Sequence, residues 1–275
     1  MIIIKHLEDV TIVRMAHTIL GHPIYFTASY FIDGLLIDTG PAILEKQFLH
    51  SLRLDRVNRI VNTHHHEDHI GNNAILQRNL HIPIYAFSLA IPFIENPVLL
   101  HEQLYRRLTW GIPKASHPQA IGSVLTTQHH SFRVIYTPGH SCADITLFEP
   151  QRGWAFTGDI FIRGKEIVIR RDSNVKKIID SLNLLKTLKP RILFPGSGNP
   201  VLNPQEELEK KLHYFSQLKD QILELHEQGQ TIEEIRKTLF PKKPLLTRIS
   251  FGDYSSENLI RSFIQNFAFA EKKQA

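Results

Sequence analysis

Residues 62–69 read Asn-Thr-His-His-His-Glu-Asp-His, four histidines and two acids in eight positions. Such side chains pack poorly in an apolar core, so crowding them between the aliphatic pair Ile60-Val61 and Ile70-Gly71 calls for a chemical use. His64, His66, Asp68 and His69 form the pattern His-x-His-x-Asp-His directly after a segment that reads as a strand. On a tight strand-to-helix turn, alternate residues can point toward one centre, offering nitrogen and oxygen ligands suited to zinc, iron or manganese. Taken alone, the stretch could also be an exposed histidine-rich loop.

Two downstream clusters shift that balance. Thr137-Pro-Gly-His140 follows a segment ending at Tyr136, and Gly158-Asp159 follows one ending at Thr157. Each sets a ligand-capable side chain just past a strand end, beside a glycine that lets the backbone approach closely. Several strand ends delivering His and Asp to one sheet edge fit a catalytic site better than a structural one.

The rest of the chain supplies the scaffold. Strands are expected over 10–15, 24–32, 35–37, 60–62, 84–86, 132–136, 145–148, 154–157 and 192–194, which are rich in β-branched or aromatic residues. Helical spacing covers 43–52, 72–78, 98–108 and 174–188. Mixed elements of this kind predict an α/β fold of sheets covered by helices. After Asn203-Pro204 the pattern becomes helical throughout. A long amphipathic helix is expected over 205–228, a second begins behind a Thr231/Glu234 capping box and ends near Phe240, and a third begins near Ser255. The expected organisation is a catalytic domain over 1–203 and a helical C-terminal segment over 204–275.

With 42% hydrophobic and 21% charged residues in 275, the composition is that of a globular protein with a sizeable core. A net charge of +5 suits anionic ligands without singling out nucleic acid. One cysteine, Cys142, excludes an intrachain disulfide and fits a reducing compartment. The opening MIIIKHLEDVTIV has no basic n-region, and no run is long enough to span a bilayer, so a cytoplasmic protein without a membrane partner is expected.

The sequence resembles the metallo-β-lactamase superfamily over roughly residues 10–200. The resemblance is carried by Leu36-Ile-Asp38-Thr-Gly40, Thr63-His-His-His-Glu-Asp-His69-Ile-Gly71, Thr137-Pro-Gly-His140-Ser, Thr157-Gly-Asp159 and Phe194-Pro-Gly-Ser-Gly198, all in the family's order. It implies a four-layer αββα sandwich with the site at the open edge between two sheets, here with a helical C-terminal extension. It further implies that His64, His66 and His140 bind a first metal, that Asp68 and His69 bind a second, and that Asp159 bridges both. Zinc is the expected metal, one ion or two, with iron or manganese as alternatives. One position departs from the pattern: Ser197 stands where two-metal relatives carry a histidine, and a hydroxyl is a much poorer ligand.

Several neighbours are read two ways. Asp38 would hold a ligand histidine or the motif loop in orientation, or be an ordinary turn residue before Gly40. His65 and Glu67 are expected to be exposed or to pack the loop. Cys142 is expected to be a small buried residue rather than a thiolate ligand, and Trp110 a core residue rather than a pocket wall. Arg163, Lys165, Arg170 and Arg171 would bring cations to an anionic substrate, or form a solvated hairpin.

A metal in such a site lowers the pKa of bound water to roughly 7, making hydroxide available for attack on an electrophilic centre. The expected function is metal-dependent hydrolysis, with Asp68 orienting the nucleophile or protonating the leaving group. The expected partner is a small anionic molecule, a thioester as in glyoxalase II or an ester or lactone. A small endoribonuclease or phosphodiesterase, with nucleic acid as the less favoured partner, and a non-hydrolytic metal-binding protein with an impaired second site are the alternatives. Nothing in the sequence sets an oligomeric state.

Overall fold

The aliphatic runs of the first two thirds become strands, in a computed structural model that describes residues 1–19, 21–100, 103–162 and 164–268. The chain forms two compact units: residues 1–136, 143–161 and 190–202 make the first, and residues 137–142, 162–189 and 203–275 make the second.

In the first unit, β1 (Ile2–Leu7), β2 (Val10–Met15), β3 (Thr27–Ile32), β4 (Leu35–Ile37), β5 (Arg59–Asn62), β6 (Ile84–Ala86) and β7 (Gln119–Ala120) form one sheet in that order. A second sheet runs β8 (Val124–Thr126), β9 (Ser131–Tyr136), β10 (Ile145–Glu149), β11 (Trp154–Gly158) and β12 (Ile192–Pro195). The inner faces meet in one apolar cluster. Val10, Ile12, Tyr30, Ile37 and Val61 come from the first sheet and Phe132, Leu147, Trp154, Phe156 and Phe194 from the second. Each large side chain removed from water there stabilises the sandwich by roughly 1.5–3 kcal/mol. Alternation along β5 sends Val61 inward and Ile60 outward, where it joins Leu36, Leu44, Phe48 and Leu76 under α1 (Glu45–Ser51) and α3 (Asn73–Leu80).

The pairing pattern decides where the site can lie. β4 pairs parallel to β5, and β11 pairs parallel to β12, while the strands before them in each sheet pair antiparallel. Parallel neighbours end at the same edge, so the residues that follow β4 and β5, and those that follow β11 and β12, emerge side by side.

Some expected elements are corrected. The strand predicted from Ile24 begins at Thr27, because Ile24 donates its N–H to the His17 carbonyl outside either large sheet. The helix predicted over 98–108 is a 3-10 turn at Pro97–Leu100 followed by α5 (Leu104–Trp110). An extended Gln103, at φ −117° and ψ 125°, separates them, while α4 (Ile91–Glu95) precedes both. Edge strand β1 was not expected, since Ile2-Ile-Ile-Lys-His carries no alternation.

In the second unit, Asn174 caps α6 (Val175–Thr187) by accepting from the Lys177 N–H. Next come α7 (Pro204–Glu227), α8 (Ile232–Leu239), α9 (Leu245–Ile249) and α10 (Ser256–Phe263). The Thr231/Glu234 capping box closes in both directions, and Ser255 caps α10 through the Asn258 N–H. Arg163 lies outside the described residues. Of the two readings of the stretch 160–172, the solvated hairpin does not describe its end: Ile169–Arg170 pairs with Tyr254–Ser255, and Arg170 is buried with its guanidinium on Asp172 at 3.1 Å. No helix among the described residues is long and apolar enough to cross a membrane.

Candidate metal centre

The chain leaves β5 at Asn62 and reaches an extended His66 at φ −69° and ψ 153°, from which the single turn α2 (Glu67–Ile70) starts. That turn closes through the His69 N–H on the His66 carbonyl, 2.9 Å. His64, His65, His66, Glu67, Asp68 and His69 are all buried, which removes the reading of an exposed histidine loop.

The turn is anchored from behind by groups that follow β4. Asp38, in the left-handed region at φ 59°, is buried and accepts three hydrogen bonds. Its Oδ1 takes the Thr63 N–H at 2.8 Å; its Oδ2 takes the Thr63 hydroxyl at 2.7 Å and faces His69 Nδ1 at 2.7 Å. Of the two readings of Asp38, the structure favours the orienting one: the carboxylate fixes the ring of His69 and directs Nε2 the other way. Beside it, Thr39 and Asn62 donate to the His69 carbonyl, and Asn62 and Asn73 exchange side-chain hydrogen bonds. Sequence reasoning missed this amide network; its only signal was two asparagines, 72 and 73, directly after Ile-Gly.

On the opposite sheet, Asp159 follows β11. The ligand atoms of His64, His69 and Asp159 all lie within 4.8 Å of one another, a separation that suits one shared cation. His69 Nε2 stands 3.5 Å from Asp159 Oδ1 and 3.7 Å from Asp68 Oδ2, beyond good hydrogen-bond reach, although the ring is fully buried. His64 and His66 lie edge to face with centroids 4.5 Å apart. The donors also sit against glycine. A Cβ on Gly196, just past β12, would fall 1.9 Å from Asp159 Oδ1 and 3.0 Å from His69 Cε1. Buried imidazoles and carboxylates whose facing atoms stand 3.5–3.7 Å apart fit a divalent metal. Gly196 stands within the Phe194-Pro-Gly-Ser-Gly198 motif, but its close approach to Asp159 was not read from the sequence.

Charge crowding perturbs the acids. Burial, then the charges of Asp159 and Glu67, push the Asp68 carboxyl up to about 7 against the opposing pull of His69. Burial works against a charged His69, but Asp38, Asp68 and Asp159 together hold its proton well above the ordinary imidazole range.

The remaining expectations divide. His140 lies buried in the second unit, in the segment 137–142, where its carbonyl accepts from the Ser173 hydroxyl at 2.9 Å. His65 and Glu67 pack the loop: His65 stacks on Phe93 at 4.3 Å, and Glu67 faces Arg106 at 3.3 Å. Trp110 is a core residue, edge-on to Tyr105. Cys142 is exposed, not buried as expected, because it sits in the turn between His140 and β10. Ser197 is half-buried, and its carbonyl accepts from Arg14 Nε at 3.0 Å.

A two-sheet α/β sandwich presenting histidines and carboxylates beyond its parallel strand ends is the architecture of a metallo-hydrolase. The chain belongs to the metallo-beta-lactamase superfamily, whose sequence profile matches residues 23–197. It is 27% identical over 181 residues to a probable metallo-hydrolase, YybB, of Bacillus subtilis, covering 63% of this chain and 80% of that one. It is 30% identical over 165 residues to hydroxyacylglutathione hydrolase of Legionella pneumophila (strain Corby), covering 58% of this chain and only 56% of that enzyme. Among solved structures, a metallo-beta-lactamase family protein of Thermus thermophilus superposes with a TM-score of 0.69 at 20% identity, covering 94% of both chains. TTHA1623, solved in a di-iron-bound form, superposes with a TM-score of 0.54 at 26% identity over 70% of this chain and 96% of its own.

Proposed function

We propose that the protein hydrolyses a small anionic thioester, ester or lactone at a divalent metal centre, with residues 1–203 as the catalytic domain and 204–275 as a helical extension. The reading rests on one observation above all: His64, His69 and Asp159, from two different sheets, converge in a buried cluster whose His69 ring is aimed by Asp38. The likeness to a hydroxyacylglutathione hydrolase makes a thioester the first substrate to try.

In this assignment His64, His66 and His140 would hold one ion, Asp68 and His69 a second, and Asp159 would serve both. Zinc is the proposed metal; the di-iron form of TTHA1623 keeps iron in play as the alternative. A divalent ion there supplies hydroxide near neutral pH and a countercharge for a developing oxyanion. The chain's own residues do the rest. Asp38 and Thr63 keep His69 in one tautomer and one orientation. Asp68, where it is not committed to an ion, can orient the nucleophile or protonate a departing thiolate or alkoxide. The buried turn 64–69 excludes bulk water and strengthens each of these interactions.

The test is metal content per chain together with turnover of a hydroxyacylglutathione thioester, a lactone and a phosphodiester. The expected result is stoichiometric metal and thioester or lactone hydrolysis, both depressed in His69→Ala and Asp159→Ala. Full metal with turnover of the phosphodiester alone would replace the proposal with a phosphodiesterase, and full metal with no turnover would make this a binding protein.

A further inference from the structure

The second unit contains a cavity of about 420 Å³ that the chemistry above leaves unused. Arg171 lies in its lining with Lys243, Arg248 and Arg261, against Glu257 as the one acid. That acid is already engaged, by Lys243 at 3.3 Å and by Arg236 at 3.5 Å. Among the described residues no carboxylate pairs with Arg171, Arg248 or Arg261. Three exposed guanidiniums without a carboxylate partner thus line one volume, and their planar forks suit phosphate oxygens better than a single carboxylate.

Two further features belong to the same lining. Thr247 is 8% exposed, and its hydroxyl makes no hydrogen bond in the chain, although buried hydroxyls ordinarily find partners. Phe251 is 82% exposed and held in the left-handed region at φ 50°. A bulky residue rarely adopts that conformation, and here it turns an aromatic ring outward beside the cations instead of into the core.

We infer that this cavity binds a small phosphate monoester carrying a planar ring, such as a nucleoside monophosphate. Arg171, Arg248 and Arg261 receive the phosphate, Thr247 adds a neutral hydrogen bond, and Phe251 stacks on the ring. The volume falls in the range of small-molecule sites. A polymer would need a charged groove that continues past one unit of length, whereas these cations gather around one volume of about 420 Å³, which favours a single nucleotide over a strand.

Equilibrium titration of the intact, metal-loaded protein separates these cases, using adenosine monophosphate, inorganic phosphate, adenosine and a short single-stranded oligoribonucleotide as probes. Adenosine monophosphate should bind more tightly than phosphate, and adenosine should not bind measurably. Arg171→Ala and Arg261→Ala should each weaken nucleotide binding about tenfold, the loss expected for one charge-assisted contact, while Arg261→Lys should recover part. Phe251→Ala should reduce the nucleotide to the affinity of phosphate without changing phosphate itself. His66→Ala, which disturbs the metal centre, should leave nucleotide binding intact. Binding that disappears with His66→Ala, or that ignores Arg171 and Arg261, would overturn the assignment. So would binding of the oligoribonucleotide alone, which would mark the surface as a strand-binding one.

Discussion

At the level of single residues, Asp38 and Gly196 control the geometry of the centre without offering it a ligand. Asp38→Asn keeps the shape but removes the charge that aligns His69, and metal affinity should fall about 10–100-fold by competition with a chelator. Gly196→Ala places a methyl group 1.9 Å from Asp159 Oδ1, so the carboxylate must move. Metal content should drop while the circular dichroism spectrum is retained, and unchanged occupancy would show that Asp159 is not held against this glycine. Asp68 and His69 give a pH signature. Both bind their protons more tightly in the fold than in an open chain, where the reference values are about 3.9 and 6.5. Their contribution to the stability of chelator-treated protein is complete below those values and is lost as pH rises, for Asp68 through about 7. Between about pH 5 and 8, the Tm of metal-stripped wild type should therefore decline relative to that of Asp68→Asn. These residues were unequally legible. His64, His66, Asp68 and His69 announced themselves by spacing, and Asp159 by its place after a strand. Gly196 did not, because its importance lies in which atoms crowd the missing side chain.

At the level of elements, the short helices α2 and α5 are joined by a buried ion pair, Glu67 with Arg106 at 3.3 Å. Arg106→Ala would leave the Glu67 carboxylate buried without that partner, a loss of about 3–5 kcal/mol. The Tm should fall accordingly, and adding Glu67→Gln should return part of it. Thr231→Ala removes the hydroxyl of the α8 capping box and should cost about 1 kcal/mol in denaturant titrations. That box was readable because a cap is a local pattern. The strands β4 and β6 were readable to the residue for a similar reason, each being a short apolar run directly after a turn-forming residue, Gly34 before β4 and Pro83 before β6. The two-residue pairing of Ile169–Arg170 with Tyr254–Ser255 had no local signature, since its partners stand far apart in sequence. The helix drawn through Gln103 failed because apolar spacing ignores one extended residue.

At the level of the whole molecule, the α/β class and a helical C-terminal region followed from the order of elements, while the family, and with it the sandwich form, followed from the resemblance that the order of motifs carries. If a metal binds the folded chain and not the unfolded one, its removal lowers stability by mass action. Chelation should therefore reduce the Tm of wild type, and the reduction should shrink in His69→Ala. The parallel pairings β4·β5 and β11·β12 carry a consequence for synthesis. A nascent chain exposes its histidine-rich turn to cellular cations long before Asp159 and β12 have been translated. If the cluster holds a metal as proposed, a complete ligand set exists only once Asp159 has been made, so firm binding would wait for the second sheet.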